Sequence, residues 1–243
     1  MATDSYFVIG SNHQSAGMPC QDYAVHGALH GTRFGIVADG CSASAGRPDI
    51  GARLAALSLA RAFEMDPAGS RSPEPALLAG LRDALDSGWV GREDLLTTVG
   101  GFLVGSEGLQ AWLWGDGVMF AVFADGTTEI RVVTTEDNTP FYPIYLLQPD
   151  GPRPPAVVNG QPLAGATCCH WDLRDAPRPL TTFIIATDGL AQLQGMDTAP
   201  AAAELAEFRT TAGAFLKRRA MRALRAAPPI DDLGLAAYHE DPR

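Results

Sequence analysis

The order of hydrophobic patterns predicts an α+β protein, a four-layer αββα sandwich of two antiparallel sheets flanked by helices. Three observations predict it. The helix-like segments are grouped instead of alternating with single strands, which disfavours a parallel doubly wound sheet. The middle of the chain shifts to short runs rich in Val, Phe, Trp and Thr, broken by turn residues, which reads as an antiparallel meander. No linker cuts the 243 residues, so 1–243 is expected to be a single domain.

The elements follow in order. "YFVIGSN" reads as a first strand, and "DYAVHGALHGTRFGIVAD" as a hairpin with a glycine-containing turn. Asp49 to Phe63 combines strong helix formers with an early Asp, and Leu54, Leu57 and Leu59 mark its expected buried face. "SPEPALLAGLRDALDSGW" reads as a second helix with Ser72 as N-cap and Pro73 at its first position. The meander runs through "LTTVGGFLVGSEGLQAWLWGDGVMFAVFADGTTEIRVVTTE", with Asp125 and Gly126 as a hairpin turn. Trp112 and Trp114 alternate there and are expected to pack into one layer. From about 140 to 175 the pattern dissolves into Pro, Gly and polar residues, an expected surface excursion and candidate lid. The strand "TTFIIAT", one long helix from roughly Ala199 to Ala226 and a last strand "GLAAYHE" complete the chain.

Composition bounds the function. The formal net charge is −10 and Lys217 is the sole lysine. Neither nucleic acid nor an anionic membrane is an expected partner of an acidic surface. A lysine nucleophile is excluded everywhere but at that one position. The opening "MATDSYFVIG" has no basic region leading into a long apolar stretch, so no secretory leader is expected. Cys20, Cys41, Cys168 and Cys169 form no CxxC spacing, which fits a reduced, cytoplasmic setting.

The chemistry rests on aspartates at strand ends. "PCQDYAV" carries Asp22, "IVADGCS" Asp39, "IIATDGL" Asp188 and "PPIDDLGLAAY" Asp231 and Asp232. Carboxylates brought together there could not all stay ionised without a counter-charge. With no lysine nearby in sequence, a divalent cation is the economical solution. All-oxygen ligation points to Mg²⁺ or Mn²⁺, and Gly40 would let its carbonyl approach as a further ligand.

"VADG" with its small-residue loop and helix, "TTVGGFLV", "LWGDGVMF", "IIATDGL" and "DDLGLAAY" occur in an order that resembles the metal-dependent protein phosphatase family. These are the PPM-type, or type 2C, serine/threonine phosphatases. The likeness spans about Gly10 to His239, and "GSNHQSAGMPCQDYAV" looks most like a bacterial branch whose first motif ends in Gln-Asp. The resemblance implies hydrolysis of phosphoserine or phosphothreonine in proteins by a metal-bridged water, with two Mn²⁺ or Mg²⁺ ions. Asp39 would bridge the ions, the Gly40 carbonyl would ligate one, and Asp188 and Asp231 would hold the other. Asp22 would act directly or through water, and Asp116 could serve a third, weaker site.

Three departures from the family pattern stand out. "SNHQSAGMPCQD" lacks the arginine that many members use to grip phosphate; Arg47 is the replacement by position, or else a solvated loop arginine. Cys41 occupies the place of a histidine suggested as the leaving-group acid. His13 is the candidate substitute, with a structural or exposed histidine as the alternative. Gln192 stands where an acidic residue is common. These departures keep open two alternatives: a regulatory or pseudophosphatase binding module, and a small phosphoester hydrolase. Arg218, Arg222 and Arg225 form a basic stripe at helical spacing, the reading being a solvated face or a docking surface for an acidic partner.

Overall fold

The structure, a computed structural model, describes residues 1–135, 139–163 and 165–240. Two antiparallel sheets lie face to face with helices outside, the αββα sandwich expected. The chain runs β1 (Ala2–Val8), α1 (Ser11–Ala16), β2 (Asp22–Leu29), β3 (Thr32–Gly40), α2 (Pro48–Met65), α3 (Glu74–Asp86), β4 (Thr97–Gly105) and β5 (Gly108–Trp114). It continues with β6 (Gly117–Phe123), β7 (Thr128–Thr135), β8 (Ala156–Val158), β9 (Gln161–Pro162), β10 (Cys168–Asp172), β11 (Leu180–Ala186), α4 (Thr198–Leu205), α5 (Phe215–Ala223) and β12 (Leu233–His239). One sheet has the order β1-β12-β11-β6-β7-β8-β9 and the other β10-β5-β4-β3-β2.

Strand direction explains why one edge of the sandwich collects strand ends. Neighbouring strands are antiparallel, so the end of one lies beside the start of the next. Val8, at the end of β1, faces Leu233 at the start of β12. Ala186, ending β11, faces Leu235 and Val118. In the other sheet Asp22, the first residue of β2, faces Asp39 near the end of β3, and Asp39 faces Thr98 of β4. The meander crosses between sheets at Gly115–Asp116–Gly117. Both glycines have positive φ (98° and 146°), which a side chain would strain, and the crossing sets Asp116 at this same edge.

Three apolar layers hold the sandwich. Between the sheets lie Val37, Phe102, Leu113, Met119, Phe183 and Ile185. Outside the five-stranded sheet, α2 and α3 cover Ile36, Val99, Trp112 and Trp114, so both tryptophans share the sheet–helix layer. Outside the seven-stranded sheet, α4 and α5 cover Phe120, Ile184 and Leu235. The β2–β3 hairpin turns at His30 and Gly31, both at positive φ, as a two-residue hairpin of this hand requires.

Several expectations are corrected. The first strand begins at Ala2 and stops at Val8, and "SNHQSA" is a short helix. Leu57 of α2 is 53% exposed; the buried face is Ala52, Ala55, Ala56, Leu59 and Phe63. The helix expected from Ala199 to Ala226 is two helices, α4 and α5. Thr210, Thr211 and Gly213 separate them, all weak helix formers. The stretch from 140 to 175 is more than an excursion. It supplies β8, β9 and β10, and Phe141, Tyr142 and Ile144 pack into the α2/α3 layer. Glu136, at the end of the expected meander, Ala164 and the last three residues lie outside the described residues.

Candidate metal centre

The aspartates of four separate segments converge at the edge defined above. Asp22 is 2% exposed, and its Oδ2 accepts a hydrogen bond from Thr187 Oγ1 at 2.6 Å. Thr187 in turn accepts from the Gly234 amide at 2.8 Å, tying β2 to the start of β12. Asp39 is the direct cross-strand partner of Asp22. Like charges in that relation repel. Asp188 opens a 3₁₀ turn (Asp188–Gln192) just past β11, and its Oδ2 accepts from Gln192 Nε2 at 2.8 Å. Gln192, a departure from the acidic residue of the family pattern, therefore orients Asp188.

Electrostatics report the crowding. Burial, opposed by its hydrogen bonds but reinforced by Asp232 and Asp188, pushes the Asp22 carboxyl up to about 8. Burial and the neighbouring Asp22, Asp188 and Asp116 raise Asp39 well above the usual carboxylate range. Asp188 is pushed up to about 7 by burial and by Asp116 and Asp231. Asp116 is pushed up to about 6, chiefly by burial. Its Oδ1 is buried without a hydrogen-bond partner among the described residues. Asp116 and Asp188 line one cleft of about 260 Å³ with Gly117, Val133, Thr134 and Gln192. An orphaned buried carboxylate oxygen, in a set of oxygen donors that destabilise one another's charge, fits a hard divalent cation.

The last acidic pair divides its labour. Asp232 is 2% exposed and accepts from the Gly10 amide (2.7 Å), the Gln21 amide (2.6 Å) and His13 Nδ1 (2.9 Å). Asp231, with 37% of its side chain exposed, lies 4.0 Å from His13 Nδ1 and accepts from the Asp232 amide. His13, Asp231 and Asp232 thus form a compact group of ligand-type atoms. With three donors on Asp232, this group is a hydrogen-bonded brace more than a vacant ligand set. Close backbone approach is built into the same corner. A Cβ on Gly189 would lie 1.9 Å from the Asp232 carbonyl oxygen, and one on Gly10 would lie 2.2 Å from the Asp231 carbonyl carbon.

His13 sits in α1, buried, with Nε2 3.3 Å from Ser42 Oγ in the loop after Asp39. Gly40 abuts the start of α2: a Cβ there would meet the Pro48 carbonyl oxygen at 2.3 Å. Arg47 is committed elsewhere. Its backbone amide donates to Asp94 Oδ1 at 2.6 Å, and its guanidinium contacts Asp94 and donates to the Trp89 carbonyl at 2.6 Å. Among the described residues no ion pair joins Arg47 to the aspartates of the centre. The Arg47 side chain and the Gly91 and Arg47 amides hold the Asp94 carboxyl below its ordinary value, and Asp94 in turn seats the N-terminus of α2. Sequence reasoning missed Thr187 and Asp94, and it named Asp232 without its bracing role. The Asp-Asp doublet was visible, but nothing in it said which carboxylate turns inward.

The family model described as "Protein phosphatase 2C" matches residues 9–227, and the chain belongs to that family. Among solved structures, it is similar to the serine/threonine phosphatase Stp1 from Staphylococcus aureus, with TM-score 0.66, 10% identity, and coverage of 100% of this chain and 96% of that one. It is also similar to the PPM Ser-Thr phosphatase MsPP from Mycobacterium smegmatis in complex with cacodylate (TM-score 0.62, 14% identity, 99% of each chain). A structure described as a bacterial serine phosphatase aligns with TM-score 0.66 and 11% identity over 100% of this chain and 99% of that chain. A search of curated protein sequences finds no match.

Proposed function

We propose that the chain is a Mn²⁺- or Mg²⁺-dependent phosphatase that removes phosphate from phosphoserine or phosphothreonine in proteins. Family membership supports the reaction class. The observation that carries it for these residues is the convergence of Asp22, Asp39, Asp116 and Asp188, each raised in pKa chiefly by burial, with no arginine or lysine among the causes. In this reading Asp39, the Gly40 carbonyl, Asp188 and Asp231 would hold two ions, Asp22 would contribute directly or through water, and Asp116 could serve a third, weaker site. When bound, the ions activate water and stabilise charge on the transferring phosphoryl group.

The chain's own residues do the rest. Thr187 and Gln192 orient Asp22 and Asp188. Asp232 fixes the ring of His13, whose Nε2, now beside Ser42 Oγ, would hand a proton to the leaving oxygen in this reading. Arg47 keeps no share in phosphate binding in this reading, because Asp94 holds it.

The test is hydrolysis of an aryl phosphate and of a phosphothreonine peptide with and without Mn²⁺. Asp39→Asn and Asp188→Asn should each lower the Mn²⁺-dependent rate by about a hundredfold or more. A rate indifferent to both substitutions refutes the assignment. The captive Arg47 favours a second reading, a cation-binding scaffold with little turnover. It predicts calorimetric Mn²⁺ binding that Asp39→Asn abolishes, with hydrolysis at background on every substrate. Turnover of small esters alone would instead mark a phosphoester hydrolase.

A further inference from the structure

A single helix from 199 to 226 would place Arg209 about nine residues before Arg218, hence about half a turn out of phase and on the opposite face. The break between α4 and α5 changes that. Through 206–214 the chain brings Arg209 to join Arg218, Arg219 and Arg222 around one cleft of about 200 Å³, whose lining carries a single carboxylate, that of Glu207. Phe208 and Phe215 form its floor, ring against ring at 4.8 Å and 84°. Six of the chain's 18 basic residues (Arg209, Lys217, Arg218, Arg219, Arg222 and Arg225) fall within this short stretch of a protein with net charge −10.

The charges are only partly neutralised. Arg219 faces Glu204 and Glu207. Arg218 donates to the Ala212 carbonyl, which carries no charge. Among the described residues no carboxylate pairs with Arg209, Arg218 or Arg222 in an ion pair. Three cationic forks therefore surround an aromatic floor, a geometry suited to carboxylates on an apolar stem. The Phe208 and Leu216 end of the cleft points away from the aspartates of the metal edge. Phe208 packs on His239, and the Leu216 amide donates to Asp4; both mark the end of β12 and β1 opposite the metal edge.

We propose that this cleft docks an acidic peptide segment of a partner protein. Carboxylates would engage Arg209, Arg218 and Arg222, and an apolar side chain would rest on Phe208 and Phe215. Charge complementarity chooses the occupant. An extended polyanion such as nucleic acid would lie mostly against an acidic surface, whereas a short acidic segment meets only the basic patch.

The experiment is fluorescence anisotropy on the full chain, using a fluorescein-labelled peptide of alternating Glu and Leu as probe and a Lys–Leu peptide as control. The Glu–Leu peptide should bind with an affinity that falls with salt, and Arg218→Gln/Arg222→Gln should weaken it by about tenfold or more. Both arginines are exposed on a helix, so melting should be unchanged. If the double variant melts early, Arg209→Gln, in the connecting loop, should show the same weakening. Equal binding by wild type and variants overturns the proposal, as does equal binding of the control peptide. It is likewise overturned if inorganic phosphate competes at the peptide's own concentration, or if an oligothymidylate of equal charge binds more tightly. Phosphatase turnover is not the readout, so the fate of the metal centre does not decide the result.

Discussion

Asp232 shows how one residue can matter without touching substrate. It holds the Gly10 and Gln21 amides and His13, joining β1, the entry to β2 and α1 at one buried point. Asp232→Ala would leave two buried amides without an acceptor, at about 1–3 kcal/mol each. We expect a loss of about 3 kcal/mol in urea denaturation, whereas Asp232→Asn, which keeps one oxygen acceptor, should lose clearly less. Equal losses would mean that packing, not hydrogen bonding, sets the value of this position. His13 is tested differently: His13→Gln should lower turnover of a phosphopeptide, whose leaving alkoxide needs a proton, by about tenfold or more, and spare an aryl phosphate with a good leaving group. A uniform loss on both substrates would assign His13 a structural role. The aspartates flanked by "VADG" and "ATDG" were legible because each ends an apolar run. The inward turn of Asp232 and the part played by Thr187 were not, because their partners lie about 165 to 220 positions away in the chain.

At the scale of elements, α2 is the clearest case of a pattern misread in detail. The leucines suggested the buried face, yet Ala52, Ala55, Ala56 and Ala62 turn inward and Leu57 turns out. The reason is spacing between layers: a helix lying close on a sheet needs small residues at its contact face. Leu59→Ala should therefore cost about 2–5 kcal/mol, while Leu57→Gln should stay within about 0.5 kcal/mol. Similar denaturation midpoints for the two variants would contradict the packing described. The break between α4 and α5 is the other element that tertiary context decides. Phe215 and Leu216, which open α5, are buried in the layer outside the seven-stranded sheet.

For the whole molecule, the acidic edge makes stability depend on pH and metal together. The folded chain holds Asp22, Asp188 and Asp116 at about 8, 7 and 6, above the ordinary value near 3.8 that they regain on unfolding. The native state thus binds more protons than the unfolded state between about pH 4 and 8, and stability falls as pH rises through that window. Without divalent ions the melting temperature should drop from pH 5 to pH 8. In the proposed function Mn²⁺ would bind the deprotonated carboxylates, so its stabilising effect should be larger at pH 8 than at pH 5. A metal-free protein that melts higher at pH 8, or an Mn²⁺ effect independent of pH, would show that these carboxylates are not crowded as described.

The sequence by itself determined the class of the fold and the identity of most of the acidic residues. Period-two and helical patterns act locally, and an Asp-Gly at the end of an apolar run is visible within a few residues. Only the tertiary structure decided that Asp22 faces Asp39, that Asp232 turns inward while Asp231 turns out, and that Arg47 belongs to Asp94. It also decided that Arg209 shares a cleft with Arg218. Each of these depends on which distant segment supplies the partner for a buried charge or the room for a backbone, and that choice is made by packing between layers.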